Sequence, residues 1–172
     1  MEPNQRKLII ILAVTAFLLL VMWQSSTVTI QSGEAGVLYK QFGGGTVTEV
    51  TYPEGFHVLA PWNKMYIYNV RNLEEKENMT ALSKNGLTIQ MEMSIRFRPI
   101  EEEIGVIHKT LGQNDRDVIV MPEVRSSARK VIGRYDPEEL YSSKRDVIQE
   151  EIYTDVKNRL KDKNIYLDAI LI

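Results

Sequence analysis

The chain has 172 residues, a net charge of -2 and no cysteine. That length suits one domain of roughly 100 to 200 residues with an appendage. The missing cysteines exclude disulfides, thiolate metal sites and a cysteine nucleophile. The interspersed charges exclude the dense basic face of a nucleic-acid binder.

The N-terminus departs furthest from average composition. Leu8-Ile9-Ile10-Ile11-Leu12-Ala13-Val14-Thr15-Ala16-Phe17-Leu18-Leu19-Leu20-Val21-Met22-Trp23 is an unbroken run in which only Thr15 is polar, and Arg6 and Lys7 precede it. As a helix it is about 24 Å long, short of the ~30 Å hydrocarbon layer. Trp23 at the interface, one or two flanking residues or local thinning closes the gap. The favoured reading is an uncleaved transmembrane anchor over residues 8–24. A re-entrant segment and a cleaved signal compete with it, although Val21-Met22-Trp23-Gln24 lacks the small-x-small site that cleavage requires. Positive flanks stay cytoplasmic. Arg6 and Lys7 therefore predict a cytoplasmic segment at residues 1–7 and a main domain, residues 25–172, on the periplasmic or extracytoplasmic side, or in the intermembrane space of a mitochondrion.

From Thr27 to Arg98 the chain reads as strands broken by turns. Val37-Leu38-Tyr39 is β-prone and ends at Phe42-Gly43-Gly44-Gly45, where glycine permits a turn. Pro53, Gly55 and Pro61 punctuate the next stretch, and Lys64 to Arg71 is rich in the Tyr, Ile and Val of a sheet surface. The clearest strand is Leu87 to Phe97. There Leu87, Ile89, Met91, Met93, Ile95 and Phe97 alternate with polar residues, which predicts one buried and one wet face. Asn85-Gly86 is a two-residue hairpin signal that predicts Leu73 to Leu82 as the pairing strand. Pro99 stops the long strand by removing an amide donor.

Helical spacing follows. Glu101, Glu102 and Glu103 suit a helix start, and Ile104, Ile107 and Leu111 form a stripe up to Gly112. A second helix is predicted from about Asp115 to Gly133, with Val124, Ala128, Val131 and Ile132 inward; Pro122 must kink it or lie near its start, and the kink is the expectation. Asp136-Pro137-Glu138-Glu139-Leu140 reads as a short helical turn. A third helix is predicted from about Ser143, with Ser143-x-x-Asp146 as capping box and Ile148, Ile152, Val156 and Leu160 spaced by four. Ile165 to Ile172 alternates as a final strand. Because a chain seldom stops inside a strand, the sequence is expected to be cut short.

Catalytic chemistry finds little support. His57 and His108 lie far apart in sequence, and neither has a nucleophile nearby to activate. Ser126 and Lys130 face each other at i, i+4, a spacing that an anchored Ser-Lys hydrolase would use and that also arises by chance. Three consecutive carboxylates at Glu101 to Glu103 lack the spacing of a calcium loop. The glycines at 43 to 45 have no following Lys-Ser/Thr and no helix to cradle phosphate. Asn78-Met79-Thr80 fits a glycosylation pattern of low specificity. No cofactor, metal or catalytic residue is expected.

Several stretches together resemble the SPFH, or band 7, superfamily of stomatins, prohibitins, flotillins and the bacterial protease-modulating pair. They are Gly33-Glu34-x-Gly36-Val37, Phe42-Gly43-Gly44, Glu54-Gly55-Phe56-His57 through Pro61-Trp62, and Tyr68-Asn69-Val70-Arg71. Leu82-Ser83-Lys84-Asn85-Gly86, Phe97-Arg98-Pro99, Arg125-Ser126, Val131-Ile132-Gly133, Glu139-Leu140, Arg145 and Asn164-Ile165-x-Leu167-Asp168 continue the match to the end. Phe42-Gly43-Gly44-Gly45, Phe97-Arg98-Pro99 and Tyr135-Asp136-Pro137-Glu138-Glu139-Leu140 look most like the prohibitin branch, with the protease-modulator branch next. The resemblance implies an α+β fold with a mainly antiparallel sheet and packed helices. It also implies a downstream coiled coil that this chain does not reach. The implied role is a non-enzymatic, membrane-anchored scaffold that oligomerises with itself or a paralogous SPFH subunit into a ring or cage. Its implied partners are membrane lipids and an AAA-type membrane protease. An anchored hydrolase and a monotopic lipid-binding module are the alternatives.

Overall fold

The structure is a computed structural model that describes residues 5, 7, 11–17, 20, 26–141 and 144–172. Among the described residues eight strands run as β1 (Thr27–Ile30), β2 (Glu34–Lys40), β3 (Gly45–Thr46), β4 (Gly55–Val58), β5 (Lys64–Asn69), β6 (Leu73–Leu82), β7 (Thr88–Pro99) and β8 (Ile165–Leu171). Between β7 and β8 lie α1 (Ile104–Thr110), α2 (Met121–Ile132), α3 (Pro137–Leu140) and α4 (Arg145–Lys161). Every strand pair is antiparallel, in the orders β1-β4, β3-β2-β5 and β6-β7-β8.

The predicted long strand is β7, and its alternation holds from Ile89 to Phe97, with Met93, Ile95 and Phe97 at 1% exposure or less. Leu87 breaks the pattern because it belongs to the turn and points out. β6 pairs along its whole length, from Leu73 opposite Phe97 to Leu82 opposite Thr88. The connection differs from the predicted two-residue turn. It runs from Ser83 to Leu87, with Gly86 N–H donating to Ser83 O at 2.9 Å and Leu87 N–H donating to Ser83 Oγ at 3.1 Å. A two-residue type I′ turn needs positive φ at both central residues, and of Asn85 and Gly86 only Gly86 has it.

α4 buries Ile148, Ile152, Val156 and Leu160, one residue per turn, against this sheet and α2. Asn164, at φ 61°, reverses the chain after α4, and its carbonyl accepts Ile100 N–H at 2.9 Å, which sets β8 beside the end of β7. Pro122 falls near the start of a helix rather than at the expected kink inside one. Pro122 is the second residue of α2, and Arg116–Val120 before it winds as a π-helical turn. Proline supplies no N–H to the preceding turn, so widening the helix there spares an orphaned carbonyl. α4 starts at Arg145 with Lys144 as its cap residue and no side-chain cap bond. Ser143, the predicted cap, lies outside the described residues. α3 does carry its capping box, between Asp136 and Glu139.

These elements make two lobes with separate cores. The larger joins β6, β7 and β8 to α2 and α4, and the smaller joins Ala35, Val37, Tyr68, Ile104 and Ile107 from β2, β5 and α1. Gly105 sets how closely α1 sits on the small lobe. A Cβ there would lie 2.8 Å from both Thr48 Cα and Val47 O, so only glycine lets the helix rest on that backbone.

Candidate functional site

His57, His108 and Lys130 each have a structural partner. His57 Nε2 is 2.7 Å from the Pro53 carbonyl, with its ring edge-on to Tyr52. His108 Nδ1 is 2.8 Å from Tyr68 Oη, which also lies 3.0 Å from the Gly112 carbonyl, and the His108 ring stacks on Tyr66 with centroids 4.2 Å apart. Tyr68 has one proton to give. When it donates to Gly112, His108 Nδ1–H donates to Tyr68. Burial holds the His108 pKa below the ordinary histidine range, and pushes up both the Tyr68 hydroxyl and the Asp115 carboxyl. Tyr68, His108 and the Gly112 carbonyl tie β5 to the end of α1.

Ser126 is exposed, and its helical neighbour Lys130 places Nζ 2.8 Å from Asp155 Oδ1 on α4. The bond from Lys130 is the first cause of the lowered Asp155 pKa. Lys130 thus serves the α2–α4 contact. Arg159 reinforces that contact through Glu123 at 2.9 Å and Asp155 at 3.0 Å, and Arg125 joins α2 to Glu77 of β6 at 2.6 Å. The glutamates at 101 to 103 form a 3-10 turn at the start of α1, where Thr51 Oγ donates to the Glu101 carbonyl at 3.0 Å. Among the described residues no group of three acidic or histidine side chains is placed to hold a metal.

The residues of the sequence motifs concentrate on the small lobe. Gly33 has φ 78°, and a Cβ there would lie 1.9 Å from Arg71 Nε. Arg71 folds across it and donates to the Ser32 carbonyl, closing the β1–β2 turn onto the end of β5. Gly36 exchanges backbone hydrogen bonds with Tyr52 at 2.8 and 2.9 Å. At the opposite end of β2, the turn containing Gly43 and Gly44 brings Phe42 against Trp62, with ring centroids 6.3 Å apart. Gly55 opens β4, and Pro61 lies in the turn that precedes β5. Asn85 and Gly86 sit apart, at the tip of the β6–β7 hairpin. Lys84 N–H there donates to the Tyr135 carbonyl at 3.0 Å.

Of the anchor residues, Ile11 to Phe17 and Leu20 are helical, as is Lys7. Ile11, Leu12, Phe17 and Leu20 are each about two-thirds exposed, touching no core. Arg6, Leu8, Ile9, Ile10, Leu18, Leu19, Val21, Met22 and Trp23 lie outside the described residues. Among the described residues no helix is long and apolar enough to cross a membrane.

The SPFH domain / Band 7 family matches residues 28–172, which are both lobes. This chain belongs to that family. Within it the chain is prohibitin-like. It is 27% identical to Prohibitin-1 of Colletotrichum higginsianum over 94% of this chain and 58% of that protein. It is 27% identical to the mitochondrial Prohibitin-7 of Arabidopsis thaliana over 86% of this chain and 52% of that protein. It is 26% identical to Prohibitin 1 of Mus musculus over 85% of this chain and 53% of that protein. The chain thus spans about half the length of the curated relatives it matches.

Proposed function

We propose that this SPFH domain is the head of a non-enzymatic membrane scaffold, anchored by the apolar run at residues 8–24 and assembled laterally into a ring or cage. The observation that carries the reading is the pairing of an SPFH domain with a solvent-facing apolar N-terminal helix at Ile11 to Phe17. An aliphatic surface of that kind is costly in water and favourable in lipid. Chains tied to one bilayer meet at a raised effective concentration, so modest lateral contacts between domains suffice for assembly. In this reading the subunits are copies of this chain or a paralogous SPFH subunit. The assembly encloses or regulates an AAA-type membrane protease, organises lipids into microdomains, or does both. The main domain stands on the extracytoplasmic side, which is the intermembrane space in a mitochondrion.

The full-length protein, extracted gently from its membrane, should run as a particle many times its monomer mass in native mass measurement. A clean monomer or dimer would overturn the scaffold reading. A Cys introduced after Trp23, labelled from one side with an impermeant thiol reagent, reports the topology. Labelling from the cytoplasmic side would reject the proposed orientation.

A further inference from the structure

The sheet of the large lobe is three strands wide along only part of β7. β8 pairs with β7 from Pro99 back to Ser94, opposite Leu171, so Thr88 to Met93 have a strand partner on the β6 side alone. Successive residues of a strand address its two neighbours alternately. Leu87 turns to β6, where its carbonyl accepts Ser83 N–H at 2.9 Å, and Ile89, Met91 and Met93 do the same by alternation. Thr88, Gln90 and Glu92 therefore aim their N–H and C=O groups away from β6. Among the described residues nothing pairs with them there.

A groove of about 650 Å³ runs along that open edge and starts at Leu171 and Ile172. Its apolar wall is formed by Met91, Ile132, Leu140 and Ile148, of which Met91 and Leu140 are only partly buried. Tyr141, 80% exposed, stands at the rim.

Two features point to what fills it. An open strand edge beside an apolar wall suits an extended polypeptide, which supplies backbone partners and side chains together. β8 also heads into the groove. α4 holds Ile172 on that course from the side away from β7, with Gln149 Oε1 accepting Ile172 N–H at 3.3 Å and Arg145 donating to the Ile172 carbonyl. The matched region is about half of each curated relative, and a chain of that length supplies the strand from within.

We infer that the groove is a strand-receiving slot, filled by the continuation of β8 in the full-length chain. In register, Ile172 lies opposite Met93 and the residue after it opposite Glu92. The added strand runs about 20 Å along β7 and covers Met91 and Leu140. It ends beside the β6–β7 turn, so the slot also fixes where the chain leaves the large lobe. The inference stands apart from the anchored reading, because it concerns this sheet alone.

The 172 residues contain no cysteine, so a disulfide can report the pairing. In the full-length protein, with any cysteine beyond Ile172 changed to serine, Glu92→Cys is combined with a cysteine at the residue that follows Ile172. Opposed residues of a hydrogen-bonded antiparallel pair have Cα atoms about 5.5 Å apart, within disulfide reach. Mild oxidation should link the two sites within one chain, and Arg96→Cys in place of Glu92→Cys should not link. Hydrogen exchange on the chain without these changes should protect the Gln90 and Glu92 amides to within about tenfold of Ser94. A disulfide between two chains would mean that a second copy supplies the strand, which overturns the assignment to β8. Protected amides without any disulfide would overturn it as well, since another segment then fills the slot. Unprotected Gln90 and Glu92 amides would overturn the slot itself.

Discussion

The large lobe is held by an unbroken aliphatic column from α4 and the inner face of β7, whereas the small lobe buries only five residues at its centre. The small lobe supplements that centre with the close approach permitted by Gly105 and with the hydrogen bonds joining Tyr68 to His108 and Gly112. β2 is buried on both faces from Ala35 to Leu38, because Ile30 and Met65 flank one side of it and α1 packs on the other. Phe42, Phe56, Val58 and Trp62 of that lobe remain exposed. The contrast separates a lobe whose core is continuous from one with a smaller core and four large apolar side chains exposed.

The largest expected effect breaks the large lobe. Phe97 is 1% exposed at the centre of its core, and Phe97→Ala should cost about 3–5 kcal/mol in urea denaturation. A loss below about 1 kcal/mol, the scale of a surface change, would mean that the column is not the main support. Gly105→Val attacks the small lobe instead. It should destabilise by about 1–3 kcal/mol through overlap with the backbone of Val47 and Thr48. Hydrogen exchange should then quicken in β2 and α1 while β7 keeps its protection. Equal acceleration in both lobes would show one cooperative unit rather than two.

Smaller effects sharpen the comparison. Asp136→Ala removes one half of the capping box of α3 and should cost about 1 kcal/mol, measured by the shift in denaturation midpoint. The smallest is a pH effect confined to the small lobe. The folded-state pKa of His108 is depressed by burial, so the folded form favours neutral imidazole. The stability this contributes is present above the ordinary histidine pKa and lost as pH falls through the depressed folded value. Small-lobe protection factors, corrected for the intrinsic slowing of exchange at lower pH, should therefore fall between pH 7 and 5, and His108→Gln should flatten that fall. A slope unchanged by His108→Gln would assign it to another group.

Much of the large lobe was legible in the sequence because it rests on repetition. The alternation along β7 and the four-residue spacing of Ile148, Ile152, Val156 and Leu160 each mark one buried face, and burial of a face needs only periodicity. The small lobe was less legible. β2 alternates poorly because both of its faces are covered. Gly105 carried no local signal, since its importance lies in Thr48, far away in the chain. The Tyr68–His108 contact likewise joins residues from different elements, so neither histidine could be assigned its role from spacing. The Ser126–Lys130 pair was visible as a helical spacing, yet Lys130 turns to Asp155 on a neighbouring helix.

By itself the sequence determined the apolar N-terminal run, the order of strands and helices, the pairing of β6 with β7 and the motifs that mark the family. Those are local properties: hydrophobic period, turn chemistry and short residue patterns. Tertiary structure alone decided that the β6–β7 connection is a five-residue turn, that Pro122 is accommodated by a π-helical turn, and that Phe42, Phe56, Val58 and Trp62 remain exposed. The physical reason is that exposure is a property of what packs on a residue. Phe56 and Val58 read as ordinary strand residues until the fold leaves nothing on their side of β4.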